Sequence, residues 1–294
     1  LHFALGSLFR RRGETDRAIR MHRNLLGRTD LAPGQRQHAL IELGEDYMKA
    51  GLLDRAEESY TQLCDGPFRA RALKSLLEIY QIEKDWRKAI GIAQESAKDS
   101  GQPWNKEIAN YWCEIAVAEM NKPDALSARA ALAEAIAVNK RCVRANVMTG
   151  DLAVRENQHA EAIDAWRRIE QQDPAFLALV AQRLLGSFRA LGRNAEGLAL
   201  LKEFLEKAPS LDMLDVAFQS TLDAEGPEAA YRLVRDELRR NPTLLGLDRL
   251  LEAQLISASA ERRQELELVK NLVHGQTRRL ARYRCVNCGF KARQ

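Results

Sequence analysis

This 294-residue sequence has few of the residues that interrupt regular structure. Its 17 glycines and 8 prolines are too few for long linkers or low-complexity stretches. It lacks a disulfide framework, because its five cysteines are odd in number and irregular in spacing. Cys64, Cys113 and Cys142 read as lone residues in helical stretches, and the set suits a reducing compartment, hence the cytosol. No apolar run approaches the roughly 18 residues that span a bilayer, and no signal peptide precedes the first helical pattern. Neither sign of charge dominates: 45 basic residues face 41 acidic ones, a net +4. The signs are interspersed, as on solvated helix faces. Acidic residues are missing only after Glu267, where Arg278, Arg279, Arg282, Arg284, Lys291 and Arg293 form a basic tail. Such a tail can meet phosphates or simply keep the chain soluble.

Catalytic signatures are missing too. There is no phosphate-cradling glycine loop, no HExxH, no nucleophile elbow and no calcium loop. His2, His22, His38, His159 and His274 are scattered, and His22 falls where an aromatic packing residue is expected. Trp86, Trp104, Trp112 and Trp166 read as core. The sequence therefore argues for a protein that is not an enzyme.

What is present is a repeat. A small residue recurs in a similar helical frame at Ala18, Ala56, Ala89, Ala128, Ala162, Gly197 and Ala230, at intervals of 38, 33, 39, 34, 35 and 33 residues. This clusters near the 34-residue tetratricopeptide period. Twelve residues upstream, Leu5-Gly6-x-x-Phe9 and Leu43-Gly44-x-x-Tyr47 match the L-G-x-x-Y element of that repeat, and Gly150 keeps the glycine. The third unit keeps the aromatic at Tyr80, and the degenerate fourth has Ala116 in place of glycine. Pro174, Pro209 and Pro242 each fall twelve residues downstream of their small residue.

The physics fits the phasing. Two helices that cross closely need Gly or Ala where the backbones approach, and proline stops the second helix. Stacked hairpins then build a continuous core that no single hairpin can bury. The longer intervals coincide with turn-rich inserts at Thr29–Gly34 and Ser100–Pro103. About seven repeats and a capping helix pair over Leu244–Val273 are expected. The predicted fold class is all-α, a tetratricopeptide helical-repeat superhelix over 1–276, followed by a metal-binding segment over 277–294.

That last segment carries Tyr283-Arg284-Cys285-Val286-Asn287-Cys288-Gly289-Phe290. Two cysteines with two residues between them can place both thiolates on one metal, with a glycine allowing the tight turn. This is half of a zinc-ribbon or rubredoxin-type site, which takes four ligands. A redox CxxC is the rival reading, but the βαβ context it normally uses is missing. The chain opens at Leu1 inside a helical pattern and stops soon after the knuckle, so both ends are expected to be cuts in a longer protein.

The stretches LHFALGSLFRRRGETDRAIRMHRNLL, LGEDYMKAGLLDRAEESYTQL and YRCVNCGFKARQ resemble the lipopolysaccharide assembly protein B family (LapB, also YciM), essentially along the whole chain. The resemblance implies an N-terminal membrane helix, a cytoplasmic repeat array and a C-terminal rubredoxin-like metal domain. It also implies a regulator of lipopolysaccharide synthesis that presents the deacetylase LpxC to the membrane protease FtsH. Of the family's ligands only Cys285 and Cys288 have matching positions here, so one four-cysteine Zn or Fe centre is expected in the longer protein. The membrane helix and the second CxxC are not within this sequence.

For partners, the first helix of each repeat lines the concave face of such arrays. Arg10, Arg11, Glu45, Lys49, Arg144, Asp151 and Arg155 are the exposed charges expected there, able to select a partner by complementarity. Exposed array ends also suit a homodimer. Three readings stand: an adaptor controlling proteolysis in lipopolysaccharide synthesis, a generic tetratricopeptide platform or chaperone, and a nucleic-acid-binding zinc ribbon. The repeats, the knuckle and the family resemblance together favour the first and disfavour nucleic acid.

Overall fold

The structure is a computed structural model. It describes residues 2–120, 122, 125–280, 282–284 and 291–293; from 278 onward only the backbone is described. By internal contacts the chain divides into two compact units, Leu1–Ala145 and Asn146–Gln294.

The first unit holds four antiparallel helix pairs: α1 (His2–Arg11) with α2 (Thr15–Leu26), α3 (Pro33–Ala50) with α4 (Leu53–Thr61), α5 (Arg69–Glu83) with α6 (Trp86–Ser100), and α7 (Asn105–Met120) with α8 (Leu126–Val138). The helix α9 (Val143–Arg155) begins in this unit and continues into the second. There it is followed by α10 (His159–Gln172), a 3-10 turn (Pro174–Leu179), and the pairs α11 (Ala181–Ala190) with α12 (Asn194–Lys207), α13 (Leu211–Glu225) with α14 (Pro227–Arg240) and α15 (Leu244–Ser257) with α16 (Ala260–Leu280). Two three-residue strands, β1 (Arg282–Arg284) and β2 (Lys291–Arg293), pair antiparallel, with Tyr283 opposite Ala292.

The phased small residues are the crossing points. Ala18, Ala56, Ala89, Ala128, Ala162 and Ala230 are all fully buried. In three units the upstream glycine lies against a ring sixteen residues later: Gly6 on His22, Gly44 on Tyr60 and Gly150 on Trp166. A Cβ on Gly44 would lie 2.5 Å from Tyr60 Cε1, so only glycine lets the two helices approach this closely. The third unit carries Leu77 and Ala93 at the same two positions, both buried, which moves the bulk from the second helix to the first.

The ends of the helices follow local chemistry. Gly51 and Gly101 end α3 and α6 in the left-handed region that costs glycine nothing. The side chains of Asp85, Ser210 and Thr243 accept from the exposed amides of Lys88, Met213 and Gly246 at the starts of α6, α13 and α15. Of the two turn-rich inserts, residues 29–32 and 101–103 lie between helices, whereas Pro33 and Gly34 open α3 and Ser100 closes α6; the 3-10 turn Pro174–Leu179 has no forerunner in the repeat pattern. The capping pair is present, and its second helix runs past Val273 to Leu280. Of the four tryptophans expected in the core, Trp166 is fully buried but Trp86, Trp104 and Trp112 are only half-buried. Trp86 instead stacks on Tyr111 with ring centroids 5.7 Å apart, an inter-repeat contact rather than an interior one.

Candidate partner-binding face

The first helices of the repeats carry a series of ion pairs and hydrogen bonds to one another. At the head of the first unit, Arg10 on α1 reaches three carboxylates on α3. Its guanidinium donates to Asp46 Oδ1 at 2.6 Å, Glu42 Oε2 at 2.8 Å and Glu45 Oε2 at 2.7 Å, and to the Glu42 carbonyl at 3.1 Å. Ser7 Oγ donates to Glu42 at 2.9 Å. Beneath this, His22 Nδ1 lies 2.5 Å from Asp46 Oδ2, with both side chains fully buried. This hydrogen bond joins α2 to α3 inside the core. His22 Nε2 has no hydrogen-bond partner and faces Gly6. His22 is thus held as a packing ring with one polar anchor.

Burial works against charge here, and the partners outweigh it. Desolvation pulls the Arg10 pKa down, but the hydrogen bonds it donates to Glu42 and Asp46 leave it raised. Desolvation pushes Glu42 up, but Arg10 and Ser7 bring its carboxyl below the ordinary range. The sequence counts Arg10 among the exposed groove charges. The structure turns it inward, its side chain 16% exposed, because three acids on the next first helix lie within its reach. Arg10 clasps α1 to α3 and is not a free contact residue.

Ion pairs between successive first helices recur within each unit, with the arginine and the acid exchanged relative to the Arg10 clasp. Within the first unit, Arg71 on α5 pairs with Glu45 on α3, and Arg144 on α9 pairs with Glu114 on α7 at 2.7 Å. Within the second, Arg183 on α11 pairs with Asp151 on α9 at 2.5 Å, and Arg249 on α15 pairs with Asp215 on α13 at 2.6 Å. In each pair the arginine belongs to the later repeat and the acid to the earlier one. Each pair is part-exposed, so its net stabilisation is small, about 0–1 kcal/mol. Its larger effect is to hold two charged groups on neighbouring first helices of its own unit side by side.

Against the expected groove set, Glu45, Arg144 and Asp151 are members of this ladder. Arg11 and Lys49 are exposed and, among the described residues, without an ion-pair partner. Arg155 is exposed near the end of α9. The sequence reading missed a polar cleft of about 500 Å³ between α11 and α13, where Gln182, Arg189, Gln219, Ser220 and Asp223 converge. Gly186 lines it, with open space where a Cβ would stand. Gly186 itself was the available signal, because it sits one residue from the small-residue phase of its unit.

No group of three or more metal-ligating side chains occurs among the described residues. The expected ligands Cys285 and Cys288 lie outside the described residues, between β1 and β2. Among the described residues no helix is long and apolar enough to cross a membrane.

A tetratricopeptide repeat family model matches residues 1–37. Lipopolysaccharide assembly protein B of Escherichia coli strain K12 is 35% identical over 294 residues, covering 99% of this chain and 75% of that protein. The protein of the same name from Haemophilus influenzae is 32% identical over 297 residues, covering 98% and 73%. Among solved structures, the MamA protein is 20% identical with a TM-score of 0.38, covering 59% of this chain and 92% of that one. A tetratricopeptide repeat protein from Parabacteroides merdae is 14% identical with a TM-score of 0.37, covering 86% and 97%.

Proposed function

Because this chain belongs to the lipopolysaccharide assembly protein B family, we propose that it is a protein-binding scaffold that regulates lipopolysaccharide biosynthesis by promoting FtsH-dependent proteolysis of the deacetylase LpxC. The observation that carries this reading is the similarity along 99% of the chain, through repeats and knuckle alike. A tetratricopeptide likeness alone would give only a binding platform.

The first-helix face supplies the chemistry such a scaffold needs. Ladder pairs hold their charges in place before a partner arrives, which lowers the ordering cost of binding. Unpaired charges such as Arg11 and Lys49 add complementarity and steer encounter. The cleft between α11 and α13 offers amide, hydroxyl, cationic and anionic groups to an extended segment of a partner.

In this reading the full protein is tethered to the cytoplasmic face of the inner membrane by a segment outside this chain. Cys285 and Cys288 supply two of four thiolates to a single Zn or Fe, whose role is to fix the fold of the terminal domain.

The test is capture of FtsH and LpxC by the complete protein, together with the lifetime of LpxC in cells with and without it. Association with both, and a longer LpxC lifetime on depletion, are expected. No association with either partner and an unchanged lifetime would sink the adaptor reading.

A further inference from the structure

Cys113 and Cys142 look isolated in the sequence, separated by 29 positions. The structure brings them into contact, with Sγ atoms 4.0 Å apart. Cys113 is on α7 and fully buried, whereas Cys142 is 7% exposed and occupies the residue directly before α9. This corrects the reading of Cys142 as a helical residue and gives it a particular environment.

At the start of α9 the sulfur of Cys142 meets donors. It accepts a hydrogen bond from the Cys113 thiol, and the backbone amides of Ala145 and Arg144 and the Arg144 charge add to it. Burial opposes these, but the sum holds the Cys142 thiol well below its ordinary range. Cys113 moves the other way, kept protonated by donating to Cys142 and by burial. One sulfur is therefore a nucleophile and its neighbour a proton-bearing thiol, the division of labour a disulfide-forming pair requires. Cys64 has neither feature: its thiol is pushed up by burial first and by Glu95.

We propose that Cys113 and Cys142 form an oxidant-reactive dithiol that closes to an intramolecular disulfide on exposure to hydrogen peroxide. The Cys142 thiolate attacks one peroxide oxygen, the O–O bond breaks, and hydroxide leaves, giving a sulfenic acid. The Cys113 sulfur then attacks the sulfenic sulfur, and the departing hydroxyl takes the Cys113 proton and leaves as water. The two sulfurs give up two electrons together, and the peroxide is reduced. The sulfurs, 4.0 Å apart, must close to the roughly 2 Å of a disulfide bond. The disulfide ties α7 to the start of α9, where the Glu114–Arg144 pair already bridges the same two helices. The first-helix face of the fourth repeat is thereby locked covalently in the oxidised state and released by reductant.

The test is peroxide treatment of the full chain, alkylation after denaturation, and peptide mapping. A peptide pair joined through Cys113 and Cys142, two hydrogens lighter and reversed by dithiothreitol, is expected. Cys64 should remain alkylatable in the same sample. In Cys113→Ser the sulfenic acid has no resolving thiol, so Cys142 should be trapped by dimedone. In Cys142→Ser no adduct should form at Cys113. Oxidised wild type should unfold at a temperature higher by roughly 5 °C, from the closed loop. Free, alkylatable Cys113 and Cys142 after peroxide that oxidises Cys285 and Cys288 would overturn the proposal. So would absence of a dimedone adduct on Cys142 in a folded Cys113→Ser protein.

Discussion

Gly44 sits against the ring edge of Tyr60, so close that a Cβ at position 44 would lie 2.5 Å from Cε1. Tyr60 is fully buried and cannot swing away without opening the α3–α4 crossing. Gly44→Ala gains about 1 kcal/mol of helix propensity. Overpacking costs about 1–3 kcal/mol and is expected to win, because the ring is held on all sides. The variant should melt at a lower temperature than wild type. Gly186→Ala, with open space at its Cβ, should be neutral or stabilised. A pair of thermal melts checks both signs.

Burial of that ring also sets an alkaline limit. Desolvation pushes the Tyr60 phenol up to about 12, with Ser75 opposing and Glu45 assisting. Tyr80 is raised by burial and then by donating to Glu57, and Tyr111 is raised by burial. The unfolded chain releases these protons near the ordinary value of 10.0, while the folded chain holds them longer. Stability is therefore unaffected by these groups below pH 10 and falls as pH rises from there towards 12. Phenolate absorbance during an alkaline titration should lag behind that of the denatured chain and then rise together with loss of helical circular dichroism.

The acid side is governed by Arg10 and Glu42. The folded Glu42 pKa lies below its ordinary 4.5, so its stabilising contribution is present above that value and is lost as pH falls through the folded one. Replacing the cation by Arg10→Met leaves Glu42, Glu45 and Asp46 crowded, with the more exposed Arg71 on α5 as the arginine left beside Glu45 and Glu42. Breaking a buried ionic cluster in this way costs about 3–5 kcal/mol. The variant should be destabilised at neutral pH and regain part of the loss on mild acidification, because protonating Glu42 relieves the repulsion. Urea unfolding of both proteins at neutral pH and near pH 5 tests the crossover.

Some of this is written in the sequence and some is not. The crossings are legible because Gly6, Gly44, Gly150 and the six buried alanines are a one-dimensional pattern, imposed by steric contact at fixed spacing. The inward turn of Arg10 is not legible, since its acids stand 32 to 36 residues later. A contact made only when one repeat stacks on the next has no local signature. The ladder pairs, and the meeting of Cys113 with Cys142, share that origin. Superposing the repeats by their glycine would place Arg10 four residues past Gly6 and Asp46 two past Gly44, and that register is the signal available. The half-buried tryptophans have a different cause: the repeat frame gives helix faces but does not say which face the neighbouring repeat covers.

Two charges of the candidate face separate binding from folding. Arg11 and Lys49 are exposed and lack ion-pair partners among the described residues. The double variant Arg11→Glu, Lys49→Glu should stay within about 0.5 kcal/mol of wild type in stability. It should still lose partner capture several-fold, with a flatter salt dependence, because complementarity and steering are electrostatic. Equal capture by wild type and variant across ionic strengths would place the contact elsewhere on the chain, with the α11–α13 cleft next to be tested.

The knuckle makes the last prediction. Cys285 and Cys288 are two cysteines at metal-ligand spacing, and a tetrahedral Zn or Fe centre takes four thiolates. The complete protein should therefore carry one metal per chain in elemental analysis. Cys285→Ser should release it and expose the terminal domain to proteolysis, because ligand binding and folding of such a small domain are one equilibrium. The repeats bury their own core of alanine, leucine and aromatic side chains. Their helical signal should thus persist after chelation while the terminal domain is lost. A metal-free complete protein with an intact, protease-resistant terminus would exclude the four-thiolate site. Loss of the whole helical signal on chelation would mean instead that the metal domain is required for folding of the array.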